Sequence, residues 1–147
     1  LKKKNKMGRV FFDTRKNVSS LTGNYTALAS DSGKTFFINV AAGMTLTLPS
    51  ISAGAALDGW NCRIVIETNV SSNTFTITEG AGDTNILVVS TNEQQNNAAP
   101  AGTSTGCTNV ILANAADVVG DSFDVICSGT KFYINADVEA DAAVTVT

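Results

Sequence analysis

Apolar side chains in this chain recur at every second position, in short runs broken by glycine and small polar residues. That period puts alternate side chains on opposite faces of a sheet and so commits the fold to β-structure. Over Lys34–Val40, Phe36, Ile38 and Val40 share a face; over Met44–Leu48, Met44, Leu46 and Leu48 point inward and Thr45 and Thr47 outward. Ala41-Ala42-Gly43 between them reads as the turn of a hairpin. Trp60–Glu67 sets Cys62, Ile64 and Ile66 against Arg63, Val65 and Glu67, and Thr74–Thr78 alternates Phe75 and Ile77 with threonines. Asn85–Val89 and Cys107–Leu112 read as apolar runs buried on both faces. Ser122–Cys127 and Thr130–Ala136 flank Ser128-Gly129 as a second hairpin, with Phe123, Val125, Phe132 and Ile134 inward; Val144–Val146 adds a terminal strand.

Eight or nine short strands at this spacing predict an all-β fold. The expected form is an antiparallel sandwich, jelly-roll-like, or a small barrel, occupying residues 21–147 as one domain. With 147 residues, 44% of them hydrophobic, the chain is large enough to bury a core. Ala113–Val119 has the capacity for one helical turn, residues 91–105 read as a long polar loop, and no internal repeat suggests a solenoid. Nothing approaches the roughly 20 apolar residues of a membrane span. Val10-Phe11-Phe12 is too short for the apolar region of a signal peptide, and Phe12 replaces the Ser or Thr that a myristoylated Met7-Gly8 start would need. Leu1 in place of methionine points to processing, a fragment or an unusual start.

The chain has no histidine, which removes the commonest general base and every imidazole-based metal site. Cys62, Cys107 and Cys127 are odd in number and contain no C-x-x-C pair, so they read as buried small hydrophobes. Ser32-Gly33-Lys34-Thr35 resembles the end of a phosphate-binding loop. However, Leu28 occupies the position of its first glycine, and a strand follows where a helix N-terminus is required. Asp137, Glu139 and Asp141 lie at period two with Asp117, Asp121 and Asp124 nearby, but without a calcium-loop pattern they read as a solvated acidic face. Asn17, Asn24 and Asn69 begin glycosylation-type triplets of the kind this composition produces by chance. Trp60, Tyr25 and Tyr133 are a sparse aromatic platform for a saccharide. These residues predict a protein that is not an enzyme and carries no cofactor.

A small net charge of −3 conceals a division. Residues 1–16 carry Lys2, Lys3, Lys4, Lys6, Arg9, Arg15 and Lys16 against Asp13, which is +6. Residues 17–147 carry Lys34, Arg63 and Lys131 against twelve carboxylates, which is −9. Residues 1–20 therefore read as an extended basic arm with Val10, Phe11 and Phe12 as its apolar anchor. No aromatics interleave with the basic residues, and an acidic body repels a phosphate backbone, so direct nucleic-acid binding is disfavoured. An arm laid on an acidic protein, steered by charge and held by the buried aromatics, is the expected use.

Asp31-Ser32-Gly33-Lys34-Thr35-Phe36-Phe37-Ile38-Asn39, Ala41-Ala42-Gly43 and Thr45-Leu46-Thr47-Leu48-Pro49 together resemble the opening of capsid decoration (cement) proteins of tailed bacteriophages. The Trp60–Glu67 and Thr74–Thr78 strands and the Gly80–Asp83 turn continue the likeness, which covers about residues 22–90; the basic N-terminal segment lies outside it. The resemblance implies a non-enzymatic β-domain on the outer surface of the virion, usually a homotrimer, that binds the major capsid protein and clamps neighbouring subunits. On that reading Lys2, Lys3, Lys4, Lys6, Arg9, Val10, Phe11, Phe12, Arg15 and Lys16 form a capsid-binding arm. The alternative expectation is a receptor- or glycan-binding head-fibre or appendage domain that uses the 91–105 loop.

Overall fold

A computed structural model describes residues 17–54, 56–93, 103–113, 119–140 and 142–147. It contains twelve strands: β1 (Val18–Leu21), β2 (Tyr25–Thr26), β3 (Lys34–Ile38), β4 (Met44–Thr47), β5 (Asn61–Ile66), β6 (Phe75–Thr78), β7 (Leu87–Glu93), β8 (Thr103–Cys107), β9 (Asn109–Leu112), β10 (Ser122–Cys127), β11 (Phe132–Val138) and β12 (Val144–Val146). They form a seven-stranded sheet in the order β1-β3-β5-β10-β11-β7-β8 and a five-stranded sheet in the order β12-β9-β6-β4-β2. The fold is all-β, as the period-two pattern requires. No helix among the described residues is long and apolar enough to cross a membrane.

Both sheets are mixed rather than purely antiparallel, because the first half of the chain is wound as a coil. From β1 to β6 the strands alternate between the sheets, so β1, β3 and β5 run parallel in one and β2, β4 and β6 run parallel in the other. The predicted β3–β4 hairpin does not form. Gly43, at φ +79°, turns the chain out of one sheet and into the other. The backbone of this corner bonds to the corner of the next turn: Glu67 and Thr68 N–H donate to Ile38 O, Ser71 N–H to Ala41 O, and Met44 N–H to Thr74 O. A second set of corners stacks in the same way. Leu48 N–H donates to Thr78 O, and both oxygens of Asp83 accept backbone N–H groups, from Ile51 at 2.9 Å and Ser52 at 2.8 Å. The coil leaves no sequence repeat because its turns differ in length. Val18 pairs with Thr35, 17 residues on, whereas Lys34 pairs with Cys62, 28 residues on.

The second half is more local, and the β10–β11 hairpin forms around Ser128-Gly129 as its turn chemistry predicts. Leu87 and Val89 are buried while Val88 between them is half-buried, so β7 alternates like the other strands. The span read as a loop at 91–105 is shorter than expected, since Thr91–Glu93 extends β7 and residues from Thr103 belong to β8. Part of Ala113–Val119 lies outside the described residues.

Inward rows from the two sheets form one core. Phe36, Ile64, Phe123 and Ala136 lie side by side across four strands of the larger sheet, and Leu46, Ile77 and Val110 across three of the smaller. Two aromatic contacts join the sheets: Tyr25 to Phe36 at 5.5 Å and Phe75 to Phe123 at 5.8 Å between ring centroids. Trp60 meets Phe132 edge-on at 5.8 Å and donates its indole N–H to Leu28 O at 3.1 Å, which satisfies the one polar atom a buried tryptophan carries.

Candidate functional site

All ten residues of the predicted arm lie in 1–16, outside the described residues. What the structure supplies is their point of attachment. The described residues begin just before β1, inside the span read as arm, and among them β1 is an outer strand of the seven-stranded sheet, paired to β3. Thr35 N–H donates to Asn17 O, so the chain enters the sheet at the end where β3 and β5 begin. Glu67, Asp137 and Glu139 sit at the opposite end, where β5 finishes, β10 starts and β11 terminates, and all three are exposed.

The carboxylates singled out by spacing form no cluster among the described residues. Asp137 and Glu139 face solvent, and Asp117 and Asp141 lie outside the described residues. Asp121 is buried, accepting the N–H of Glu139 at 3.0 Å, and Asp124 faces Arg63 on the outer surface. No group of three or more candidate metal ligands occurs among the described residues.

Ser32-Gly33-Lys34-Thr35 has a structural use. Asp31, only 3% exposed, accepts from Leu28 N–H at 2.8 Å, the Tyr25 hydroxyl at 2.9 Å and the Lys34 ammonium at 2.7 Å. Burial pushes its carboxyl upward, but the Leu28, Lys34 and Tyr25 hydrogen bonds together outweigh that and hold it below 3.8. Each partner's own hydrogen bond to Asp31 raises it in turn, keeping the Tyr25 phenol protonated and the Lys34 ammonium charged. Lys34 thus fastens the turn before β3. The cysteines are buried free thiols, as their alternation with apolar neighbours indicates. Desolvation, with smaller contributions from Asp124 and Asp31, pushes Cys62 up to about 12, and desolvation also raises Cys107 and Cys127.

The two outer faces differ in chemistry. On the five-stranded sheet, Thr26, Thr47, Thr78 and Asn109 form one row and Thr45, Thr76, Ile111 and Thr145 another, with no charged side chain in either. On the seven-stranded sheet, β5, β10, β11 and β7 carry an open groove of about 520 Å³. One row across it is Asn61, Ile126, Tyr133 and Val88; the next is Arg63, Asp124, Asn135 and Ser90. Ile126 is 53% and Tyr133 47% exposed, side by side on neighbouring strands. The Arg63 guanidinium lies 3.7 Å from the Asp124 carboxylate and also donates to the Ser122 hydroxyl at 3.3 Å. The groove is not legible in the sequence because its lining comes from five strands, β3 included, and largely from positions that the inward pattern assigns to solvent. Its one local signal is a large apolar residue and a tyrosine at outward positions of a single hairpin.

Compared with protein-family models, curated proteins and solved structures, the chain matches none.

Proposed function

We propose that this protein is a structural component of a virus particle, a capsid decoration protein. In this reading it binds the outer surface of a tailed-phage head through its basic N-terminal segment and stabilises contacts between capsid subunits. The observation that carries the reading is the division of charge along the chain. Residues 1–16 hold +6 and join the domain at one end of an edge strand, while Glu67, Asp137 and Glu139 occupy the other end of the same sheet. A chain built this way presents two surfaces of opposite sign to different partners, with the arm directed to the major capsid protein. The uncharged threonine face of the smaller sheet is consistent with contact against a neighbouring copy or the capsid, since interface centres are depleted in charge. Assembly as a homotrimer on a symmetric lattice would multiply modest contacts through effective concentration.

Removing residues 1–16 tests the arm. Capsids made from the virus's own major capsid protein should retain the full chain in sedimentation and release the truncated one, and added salt should weaken the full chain's binding. Undiminished binding of the truncated chain would remove the arm from the account.

A further inference from the structure

We infer that the groove on the outer face of the seven-stranded sheet is a binding site for a neutral oligosaccharide, with Tyr133 as its stacking platform. About 520 Å³ is within the range of small-ligand sites. The four strands beneath it are all interior to the sheet, so most of their backbone N–H and C=O groups are used by strand neighbours, the exception being the irregular pairing of β7 with β8 between Leu87 and Val89. An occupant therefore rests on backbone that is largely hydrogen-bonded already and depends on side chains for its polar contacts. That excludes an added β-strand, which depends on a free sheet edge. It also disfavours any extended peptide lying on this face, whose own backbone would find few partners.

Charge narrows the class. Arg63 and Asp124 oppose each other within the groove, and Lys34 at its margin is held by Asp31. The formal charges cancel, so neither a phosphate nor a sulfated chain has a field to attract it. What remains is amphipathic. An apolar row (Ile126, Tyr133, Val88) lies beside a polar row (Arg63, Asp124, Asn135, Ser90), the two separated by about 7 Å, twice the rise per residue. A pyranose ring has this division: a C–H face that packs on an aromatic or branched side chain and a rim of hydroxyls that both donate and accept. Asp124 is an acceptor, Arg63 a donor, and Asn135 and Ser90 supply both functions within one row. Four strands span about 14 Å, enough for two to three sugar rings along the groove. The Tyr133 and Ser90 side chains are both exposed on this face, where a ligand can reach their hydroxyls.

This inference does not rest on capsid binding, and it is tested on the isolated full chain. Backbone amide spectra are recorded during titration with maltotetraose, cellotetraose or chitotriose, and separately with a heparin tetrasaccharide. At least one neutral oligosaccharide should shift the amides of Ile126, Tyr133 and Asn135 with millimolar affinity. Tyr133→Ala should weaken it about tenfold, and Asn135→Ala should also weaken it. Both residues are exposed, so unchanged melting temperatures are expected and would show that the variants remain folded. The inference is overturned if no neutral oligosaccharide shifts these amides, if only the sulfated one does, or if binding survives both substitutions.

Discussion

Asp31→Asn isolates the buried carboxylate that fastens the start of β3. The substitution keeps the size of the side chain and removes its charge. The amide oxygen can still accept from both Leu28 N–H and the Tyr25 hydroxyl, which share one carboxylate oxygen, but the amide NH2 then faces the Lys34 ammonium, donor against donor. Charge-assisted hydrogen bonds contribute about 1.5–3 kcal/mol each, and losing one partner of a buried pair costs about 3–5 kcal/mol. The Lys34 side chain is 27% exposed and can swing to water, which lowers the cost below that of a closed site. A loss of about 2–4 kcal/mol follows, or roughly 10 °C in melting temperature for a domain of this size. The pH dependence supplies a second reading. Because the Asp31 carboxyl is held below 3.8, its stabilising share is complete above that pH and drains away as pH falls through the folded-state value. Urea denaturation of the parent and the variant should therefore show a gap that is full at neutral pH and shrinks as the pH is lowered below the usual carboxylate range. A gap under about 0.5 kcal/mol at neutral pH, or one that persists unchanged into acid, would refute the reasoning.

Gly43→Ala should cost about 2–3 kcal/mol in denaturant midpoint experiments. The residue sits at φ +79°, and an added Cβ would lie 2.7 Å from both Asn73 Cβ and Thr74 O, inside the stacked corner; a neutral effect would mean the corner is not packed as described. Cys62, Cys107 and Cys127 should resist a disulfide reagent at mildly alkaline pH in the native protein and all react once it is unfolded, since burial keeps them as thiols. Prompt reaction of the native protein would contradict that burial.

The faces of the strands were legible because each depends only on neighbours two residues apart. Thus Phe36 and Ile38, Leu46 and Leu48, and Phe123 and Val125 point inward as their alternation requires. The β10–β11 hairpin was legible for the same reason, its partners being joined by a short turn. Strand partnership in the first half was not. Met44 pairs with Phe75 and Lys34 with Cys62, and nothing local in either segment encodes a neighbour that far along the chain. Gly43 was rightly read as a turn, but a turn that leaves one sheet for another has the same residues as one that folds a strand back on itself. Asp31 has no signal of its own beyond its place beside the Ser32-Gly33 turn, since its burial depends on Tyr25 and Leu28 closing over it. The groove was invisible for a related reason: Arg63, Ser90, Asp124 and Asn135 are ordinary solvent-facing residues until β5, β10, β11 and β7 set them in one row.

The central claim is that this chain sits on the outside of a phage head. Its most direct test is a cryo-electron microscopy reconstruction of the virus's capsids incubated with the full chain. The account predicts density outside the shell, repeated around threefold positions, with a thin extension from each β-domain reaching adjacent capsid subunits. Capsids that show no added external density under saturating protein would contradict it.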